Sequence, residues 1–195
     1  MELYKKTGWI EVITGGMYAG KTEELIRRIR RIEYALQSVK VFKPAVDNRY
    51  DLCDVVSHNN VHTKSIVIEK AEEMKQYLNP LPDAVAVDEV QFFGKDMIYM
   101  CEDLADQGVR VIVAGLDCDF RGEPFGIMPE FLARAEYITK LSAICQVCGS
   151  PATRTQRLIN GVPANYSDPI IKVGAKEQYE ARCRHCHQVP GKPKR

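Results

Sequence analysis

The most obvious absence from this 195-residue sequence is a long apolar segment. It contains no run of 18 apolar residues, which excludes a membrane-spanning helix of the usual length. The first nine residues, MELYKKTGW, also lack the apolar core of a secretory signal peptide. We therefore expect a cytoplasmic protein with no membrane partner.

The sequence also has no excess of charge of either sign. Its 27 Lys and Arg residues almost balance its 26 Asp and Glu residues, which leaves a net charge of +1. Domains that bind nucleic acid usually carry a strong basic excess or a basic stripe. The charge balance gives no electrostatic reason for such a function, and we expect no nucleic-acid partner.

Internal repeats and low-complexity tracts are absent as well, which excludes a repeat architecture. The composition, with 45% hydrophobic and 27% charged residues, is that of a globular protein able to bury a core. The length corresponds to one large domain, or to one domain with a small appendage.

Cysteine is present, but in an odd number, seven, which fits reduced thiols better than a framework of disulfides. Four of the seven form two close pairs. Cys53, Cys101 and Cys118 stand alone, and we expect them to be buried as small hydrophobic side chains.

The hydrophobic pattern alternates between short strands and helices in the first part of the chain. Strands are predicted at residues 9–13, 39–42, 63–68, 84–87 and 109–114. Helices are predicted at residues 21–36, from the third strand to about residue 78, and at residues 94–107. The apolar stripe of the first helix consists of Leu25, Ile29, Ile32 and Leu36.

Strands that alternate with helices favour a mostly parallel sheet flanked by helices. We therefore predict an α/β domain over residues 1–140. After residue 140, cysteine pairs, Pro, Asn and Gly replace the periodic pattern. We predict a second, small, metal-held domain over residues 141–195.

Residues 15–22, GGMYAGKT, match the complete pattern of a phosphate-binding loop (P-loop), with a predicted strand before it and a predicted helix after it. Glycines allow backbone N–H groups to turn inward around phosphate oxygens, and the helix N-terminus adds a partial positive charge. We predict that Lys21 binds the β- and γ-phosphates and that Thr22 binds Mg²⁺.

An acidic pair, Asp88 and Glu89, directly follows the predicted strand at residues 84–87. A carboxylate at this end of a parallel strand lies beside the phosphate loop in such folds, so Asp88 is predicted to hold Mg²⁺ through water. Glu89 is ionised at neutral pH and can accept a proton. The proton would come from water in an NTPase or from a substrate hydroxyl in a kinase, and these residues alone do not decide between the two.

Two C-x-x-C pairs predict a closed structural Zn²⁺ site formed by Cys145, Cys148, Cys183 and Cys186. His185 and His187 are alternatives for the fourth ligand, although we favour Cys186. Residues 161–179 lie between the pairs and show no clear period. Because metal would hold both ends of this segment, we interpret it as a lid with Tyr179 at its C-terminal hinge.

Aromatic residues follow two of the predicted strands. Phe92 and Phe93 come after the acidic pair, and Phe120 and Phe125 lie in the loop after the strand at residues 109–114. Ligands of α/β proteins bind at such strand ends. The apolar side chains suggest that this loop encloses a flat, uncharged group.

Taken together, these segments resemble the type II thymidine kinases, the cytosolic, zinc-containing kind. The resemblance covers about residues 9–187. It rests on both cysteine pairs and on GGMYAGKT (15–22), KPAVDNRY (43–50), DEVQFF (88–93), AGLDCDF (114–120) and PFG (124–126). It implies an α/β fold of the P-loop NTPase, RecA-like type with a small zinc-binding lasso domain.

The resemblance also implies an activity. Members transfer the γ-phosphoryl group of ATP, with Mg²⁺, to the 5′-hydroxyl of thymidine or deoxyuridine, which supplies thymidine monophosphate (dTMP) by pyrimidine salvage for DNA synthesis. A homotetramer and inhibition by thymidine triphosphate (dTTP) are implied as well.

Residue roles follow from the same resemblance. Glu89 corresponds to the catalytic base, and Thr22 and Asp88 to the residues that serve Mg²⁺. The positions that bind ATP and its phosphates are Gly15, Gly16, Met17, Tyr18, Ala19, Gly20, Lys21, Thr22, Asp47, Arg49, Asp88, Glu89, Val90 and Gln91. Those that enclose thymine and its sugar are Met17, Phe92, Leu116, Phe120, Phe125, Ile171, Val173 and Tyr179, with Ile171 and Val173 acting mainly through their backbone.

Two other functions remain compatible with the phosphate loop and the metal pairs. A zinc-bearing ATPase that works on DNA is disfavoured by the near-zero net charge, and hydrolysis stimulated by DNA would favour it. A nonenzymatic nucleotide-sensing module would bind nucleotide tightly without any transfer.

Overall fold

The computed structural model describes residues 7–45, 54–56, 62–170 and 177–194. Within these ranges the main element is a six-stranded sheet in the order β5-β2-β6-β7-β1-β8, in which every pair of neighbours is parallel. Its strands are β1 (Trp9–Thr14), β2 (Val39–Pro44), β5 (Ile66–Ile68), β6 (Ala84–Val87), β7 (Arg110–Gly115) and β8 (Tyr137–Lys140). The predicted parallel α/β fold is confirmed.

Helices cover both faces of this sheet. They are α1 (Lys21–Tyr34), α2 (Asp96–Asp106), α3 (Met128–Arg134) and two 3₁₀ helices at Ala71–Tyr77 and Val90–Phe92. Alternate residues of each strand face opposite layers. In β7, Ile112 and Ala114 pack with α1, whereas Val111 and Val113 pack with α2 and α3. Burial on both faces explains the uninterrupted apolar runs of β6 and β7.

Helix α1 ends two residues earlier than predicted. Leu25, Ile29 and Ile32 are buried as expected, together with Ile26. Leu36, the last member of the predicted stripe, is instead 96% exposed and has a positive φ of 57°. Because the helix ends at Tyr34, the helical spacing of three or four residues does not extend to Leu36 and does not place it on the buried face.

The predicted strand at residues 63–68 is two strands. β4 (His62–Lys64) pairs antiparallel with β3 (Asp54–Val56), and β5 pairs with β2 in the main sheet. Ser65 separates them. No glycine or proline marks the break at Ser65, so composition alone does not reveal that the chain changes sheets there.

A smaller lobe follows β8. β9 (Ala143–Ile144) and β10 (Pro151–Ala152) form one antiparallel pair, while β11 (Arg154–Ile159) pairs with β12 (Val162–Pro163) and β13 (Glu177–Arg182). Tyr179 lies within β13, opposite Arg157. It is therefore part of a strand, and the predicted hinge at this residue is wrong because β-pairing continues through it.

The solitary cysteines differ in their environments. Cys101 is buried in the core between α2 and the sheet, as predicted, whereas Cys118 is only half-buried in the loop after β7. Cys53 lies outside the described residues. No helix in the described part of the chain combines the length and apolarity that a membrane crossing requires.

Candidate active site and metal centre

The carboxyl ends of the parallel strands bring the predicted site residues to one edge of the main sheet. Thr14 of β1 is in register with Gly115 of β7 and with Lys140 of β8. The phosphate loop, the segment after β7 and the start of the small lobe therefore leave the sheet side by side. The acidic pair leaves the same edge from β6, one strand beyond β7.

The phosphate loop connects β1 to α1 through three residues with positive φ: Gly15 at 144°, Tyr18 at 64° and Gly20 at 84°. Gly15 is required sterically as well, because a Cβ there would lie 2.4 Å from the carbonyl oxygen of Leu141. Lys21 is buried in the first turn of α1 and donates a hydrogen bond to the Gly16 carbonyl at 3.0 Å. The Lys21 side chain therefore lies along the phosphate loop, next to the N-terminus of α1. A helix N-terminus with a nearby cation is typical of anion-binding sites.

The small lobe contacts the phosphate loop directly. The Met17 N–H donates to Thr155 Oγ1 of β11 at 3.0 Å, and the Tyr18 hydroxyl donates to the Tyr179 carbonyl of β13 at 3.0 Å. Ala19 packs against the apolar cluster around Cys145. Residues 17–19 thus connect the loop to the small lobe through a backbone N–H, a tyrosine hydroxyl and an alanine side chain. Sequence reasoning missed this contact because Thr155 is not part of a recognisable motif.

The acidic pair has an unusual backbone geometry. Asp88 is 7% exposed, and its Oδ1 accepts the Glu89 N–H at 2.9 Å. Glu89 has a φ of 49°, in the left-handed region that non-glycine residues seldom adopt. Such strain is concentrated at functional sites, because the surrounding contacts must hold it. This outlier favours a functional role for Glu89.

Gln91 lies next to this carboxylate. Its side chain donates from Nε2 to Glu89 Oε2 and accepts the Leu116 N–H through Oε1 at 3.1 Å. Val90, between the two residues, is buried in the core. Sequence reasoning placed Gln91 only within a nucleotide-binding segment and missed its contact with Glu89.

Two of the predicted nucleoside contacts meet. The rings of Phe92 and Phe125 are edge to face, with centroids 5.5 Å apart, and both side chains are half-buried. Leu116 is buried at the end of β7. An apolar wall of this kind, beside a carboxylate, suits a flat ligand that also carries a hydroxyl group.

Phe120 has a different environment. It is buried, and the guanidinium groups of Arg157 and Arg121 lie 5.1 Å and 5.8 Å from its ring centroid. The ring nitrogen Nε2 of His187 lies 2.8 Å from its carbonyl oxygen. Phe120 therefore links the loop after β7 to the small lobe.

Asp119 organises this loop from within. Its Oδ1 accepts the N–H groups of Arg121 and Glu123 at 2.9 Å and 3.1 Å, and its Oδ2 pairs with the Arg121 guanidinium at 2.9 Å. Asp117 forms an ion pair with Lys140 at 2.7 Å. Asp119 therefore holds the loop that carries Phe120 and Phe125, and Asp117 adds an ion pair between this loop and β8. Four of the predicted positions, Asp47, Arg49, Ile171 and Val173, lie outside the described residues.

The two cysteine pairs converge in the small lobe. The sulfur atoms of Cys145, Cys148, Cys183 and Cys186 all lie within 4.8 Å of one another. The Cys148 and Cys183 sulfur atoms are 3.6 Å apart. A tetrahedron with Zn–S bonds of about 2.3 Å requires S–S distances of about 3.8 Å. The donor set and its spacing therefore fit a structural Zn²⁺ site.

Backbone groups favour the thiolate form at this cluster. Burial raises the pKa of Cys145, but hydrogen bonds from the backbone of Cys183, Val147 and Cys148 outweigh it and lower the pKa to about 6. Crowding acts in the opposite direction on Cys186, because the sulfur atoms of Cys183 and Cys148 raise its pKa to about 12. A divalent cation bound to all four sulfur atoms would offset half of the charge of four thiolates and so favour their ionised form.

The histidine alternatives for the fourth ligand are not part of this cluster. The metal-binding group found among the described residues contains Cys186 and neither histidine. His187 is directed to the Phe120 carbonyl, and His185 is exposed.

The parallel sheet, the strand–loop–helix unit and the acidic pair at a neighbouring strand end define a P-loop, nucleotide-binding class of α/β protein. The family model described as "Thymidine kinase" matches residues 8–187, and the chain belongs to that family. Membership supports phosphorylation of thymidine as the general activity of this kinase.

One solved structure provides a second comparison. The chain is similar to the genome packaging NTPase B204 from Sulfolobus turreted icosahedral virus 2, in complex with ATP-gammaS. The identity is 13% over 70% of this chain and 75% of that chain, with a TM-score of 0.46. A likeness at this level carries no argument about function.

Proposed function

We propose that this protein transfers the γ-phosphoryl group of ATP to the 5′-hydroxyl of thymidine, and of deoxyuridine, to give the 5′-monophosphate for pyrimidine salvage. The observation that carries the proposal is the Glu89 carboxylate, which leaves the same sheet edge as the phosphate loop in a chain of the thymidine kinase family. Phe92, three residues after Glu89 in the sequence, packs edge to face against Phe125.

The proposed reaction needs one base and several phosphate ligands. Glu89 accepts the proton of the 5′-hydroxyl while the new O–P bond forms and the bond from the γ-phosphorus to the bridging oxygen of ADP breaks. Lys21 and the backbone amides of residues 15–20 neutralise the phosphate charge. Because phosphoryl transfer depends mainly on positioning and electrostatics, a rigid loop beside a fixed carboxylate supports this chemistry.

Two of the predicted residues have the chemistry to hold Mg²⁺. Thr22 offers a hydroxyl in the first turn of α1, and Asp88 offers a buried carboxylate. Oxygen ligands of this type suit Mg²⁺, which would neutralise phosphate charge when bound with ATP. Asp47 and Arg49 are proposed to complete the ATP side. Val90 and Gln91, which follow Glu89 directly, are assigned to this side as well, but not through their side chains, because Val90 is in the core and the Gln91 amide binds Glu89 and Leu116.

The nucleoside would occupy the apolar side of the cleft. We assign its walls to Met17, Leu116, Phe92, Phe120, Phe125 and Tyr179, with backbone groups of Ile171 and Val173 closing over the base. The edge-to-face phenylalanine pair supports recognition of a flat ring. The small lobe, residues 141–195, is proposed as a zinc-held domain that carries this lid, separate from the α/β domain at residues 1–140.

The decisive experiment is an assay with ATP, Mg²⁺ and a panel of nucleosides, with the monophosphate as the measured product. Thymidine and deoxyuridine should be converted, and Glu89→Gln should reduce turnover by at least about 100-fold while ATP still binds. ATP hydrolysis that is stimulated by DNA and unaffected by thymidine would contradict the proposal and indicate a DNA-dependent ATPase. Nucleotide binding without transfer of a phosphoryl group would indicate a nonenzymatic nucleotide-sensing module.

Family membership also motivates proposals about regulation and assembly. We expect a cytoplasmic homotetramer that dTTP inhibits by occupying the nucleoside and phosphate sites together. Light scattering measures the mass of the assembly, and inhibition by dTTP at varied ATP and thymidine concentrations tests the double occupancy.

A further inference from the structure

The backbone around Glu89 is held firmly, but its carboxylate needs a restraint of its own. The Glu89 N–H is bound by Asp88, and the Phe92 N–H donates to the Glu89 carbonyl at 3.2 Å. These bonds fix the left-handed turn that follows β6. They leave the side-chain torsions of Glu89 undetermined, and a general base must be held within a fraction of an ångström of its target.

Gln91 supplies that restraint through both ends of its amide. Nε2 donates to Glu89 Oε2, and Oε1 accepts the Leu116 N–H. A carboxylate can only accept and a backbone N–H can only donate, so the reversed amide orientation would lose both bonds. The two partners therefore determine the orientation of the Gln91 amide, which in turn restrains one oxygen of the Glu89 carboxylate.

Gln91 fits in its place because two neighbouring residues, Gly115 and Gly126, have no side chain. A Cβ on Gly115 would lie 2.5 Å from Gln91 Oε1, and a Cβ on Gly126 would lie 2.2 Å from the Gln91 carbonyl oxygen. Gln91 itself is 3% exposed. The last residue of β7 and a glycine in the loop that follows it thus both accommodate Gln91, which argues against a chance contact of a surface side chain.

We propose that Gln91 is a positioning residue that orients the Glu89 carboxylate and couples it to the loop after β7. This inference rests on the proposed role of Glu89 as the base. Leu116 and Phe125 belong to that loop, so a nucleoside bound against it would sit at a fixed distance from the carboxylate. Loss of Gln91 should then reduce kcat and leave the binding of both substrates nearly unchanged.

The test is a double-mutant cycle with Glu89→Gln and Gln91→Met, in which kcat and both KM values are measured. Gln91→Met retains the length of the side chain and removes both hydrogen bonds. In the wild-type background we expect kcat to fall about 10- to 100-fold with each KM within about 3-fold. In the Glu89→Gln background Gln91→Met should change kcat by less than about 3-fold, because the base it orients is already gone.

A second variant keeps the test valid if Gln91→Met does not fold. Gly115→Ala displaces the Gln91 amide without removing it and should lower kcat in the same way. Gln107→Met, an exposed glutamine at the end of α2, is the matched control and should leave kcat unchanged.

Several results would overturn the inference. They are an unchanged kcat in folded Gln91→Met or Gly115→Ala, a rise in KM alone, or an equal loss in the two backgrounds. Failure of the underlying proposals is recognised separately. If Glu89 is not the base, Glu89→Gln alone retains full turnover, and if the proposed function itself fails, the wild-type protein forms no nucleoside monophosphate.

Discussion

At the scale of single residues, Glu11 shows how a buried charge is tolerated in β1. Its carboxylate accepts hydrogen bonds from Trp9 Nε1 at 2.7 Å, Arg110 Nε at 2.7 Å and Arg28 at 2.5 Å. Burial raises the pKa of Glu11, but the bonds from Arg110 and Trp9 and the charges of Arg110 and Arg28 outweigh it and hold the pKa below its usual value. The ionised form is thus more stable in the folded protein than in the unfolded chain.

The first prediction is that Glu11→Gln destabilises the protein by about 3 kcal/mol at pH 7, because two guanidinium groups lose their buried partner. The melting temperature should fall by roughly 6–12 °C. Since the folded pKa is depressed, the contribution of Glu11 is fully present above an unfolded pKa of about 4.5 and is lost as the pH falls from there through the lower folded pKa. Thermal unfolding between pH 7 and about pH 3 should therefore show a deficit that is constant at first and shrinks below about pH 5.

Glu102→Gln is the matched control for this measurement. Glu102 pairs with Arg134 at 2.6 Å, but the side chains are 34% and 38% exposed. Solvent screening limits such a pair to about 0.5 kcal/mol. Equal effects of the two variants, or a Glu11→Gln deficit that stays constant with pH, would show that the buried network does not stabilise the ionised carboxylate.

At the scale of secondary-structure elements, the hydrogen bond between the phosphate loop and β11 restrains the conformation of the loop. Thr155 holds the Met17 N–H, and a Cβ on Gly16 would lie 3.4 Å from the same hydroxyl oxygen. The loop therefore lies against β11 in addition to joining β1 to α1. A loop held in place before ATP arrives loses less entropy on binding.

The second prediction follows from this contact. Thr155→Val keeps the shape of the side chain and removes the acceptor for the Met17 N–H, which costs about 1 kcal/mol. We expect ATP to bind about 5-fold more weakly, with little change in kcat at saturating ATP. Calorimetric titration with a nonhydrolysable ATP analogue measures the effect, and Thr153→Val, before the start of β11, is the control. Unchanged affinity in folded Thr155→Val would mean that the loop holds its conformation without β11.

The parts of this site that lie within one short segment could be predicted from the sequence. The phosphate loop and both cysteine pairs depend on spacing within eight residues or fewer, and the structure has each segment in the predicted context. Contacts between distant segments left no such pattern. Thr155 lies 138 residues from Met17, and Leu116 lies 25 residues from Gln91. Their residue types are common, so only the fold shows why they are needed.

At the scale of the whole molecule, the small lobe acts as a support for the nucleotide site. Ala19 of the phosphate loop packs against the cluster that contains Cys145 and Cys183. In addition, β11 accepts a hydrogen bond from the Met17 N–H, and β13 accepts one from the Tyr18 hydroxyl. The same strands flank the segment that we interpret as the lid, because β12 and β13 lie on either side of residues 164–176. The metal centre would therefore stabilise both the phosphate loop and the nucleoside lid.

The third prediction tests this connection. Cys145→Ser replaces a thiolate ligand with a weakly binding hydroxyl group, and zinc should be lost because a closed structural site needs four good ligands. At moderate temperature the α/β core should remain folded, since the buried members of its apolar clusters all precede residue 141 and, among the described residues of the small lobe, only Leu141 packs against them. We expect the KM for thymidine to rise about 10-fold or more before the unfolding transition is reached. Elemental analysis gives the zinc content, and amide hydrogen exchange gives the protection of β11 and β13.

Cys101→Ala is the control for a general loss of stability. Cys101 is buried in the α/β core, and its replacement leaves a small cavity that costs about 1–2 kcal/mol without touching the metal ligands. That variant should retain zinc and its KM for thymidine. If Cys145→Ser retained stoichiometric zinc, or lost it while β11, β13 and the KM stayed unchanged, the small lobe would have no role in shaping the site. The thymidine lid would then have to be held by the α/β domain alone.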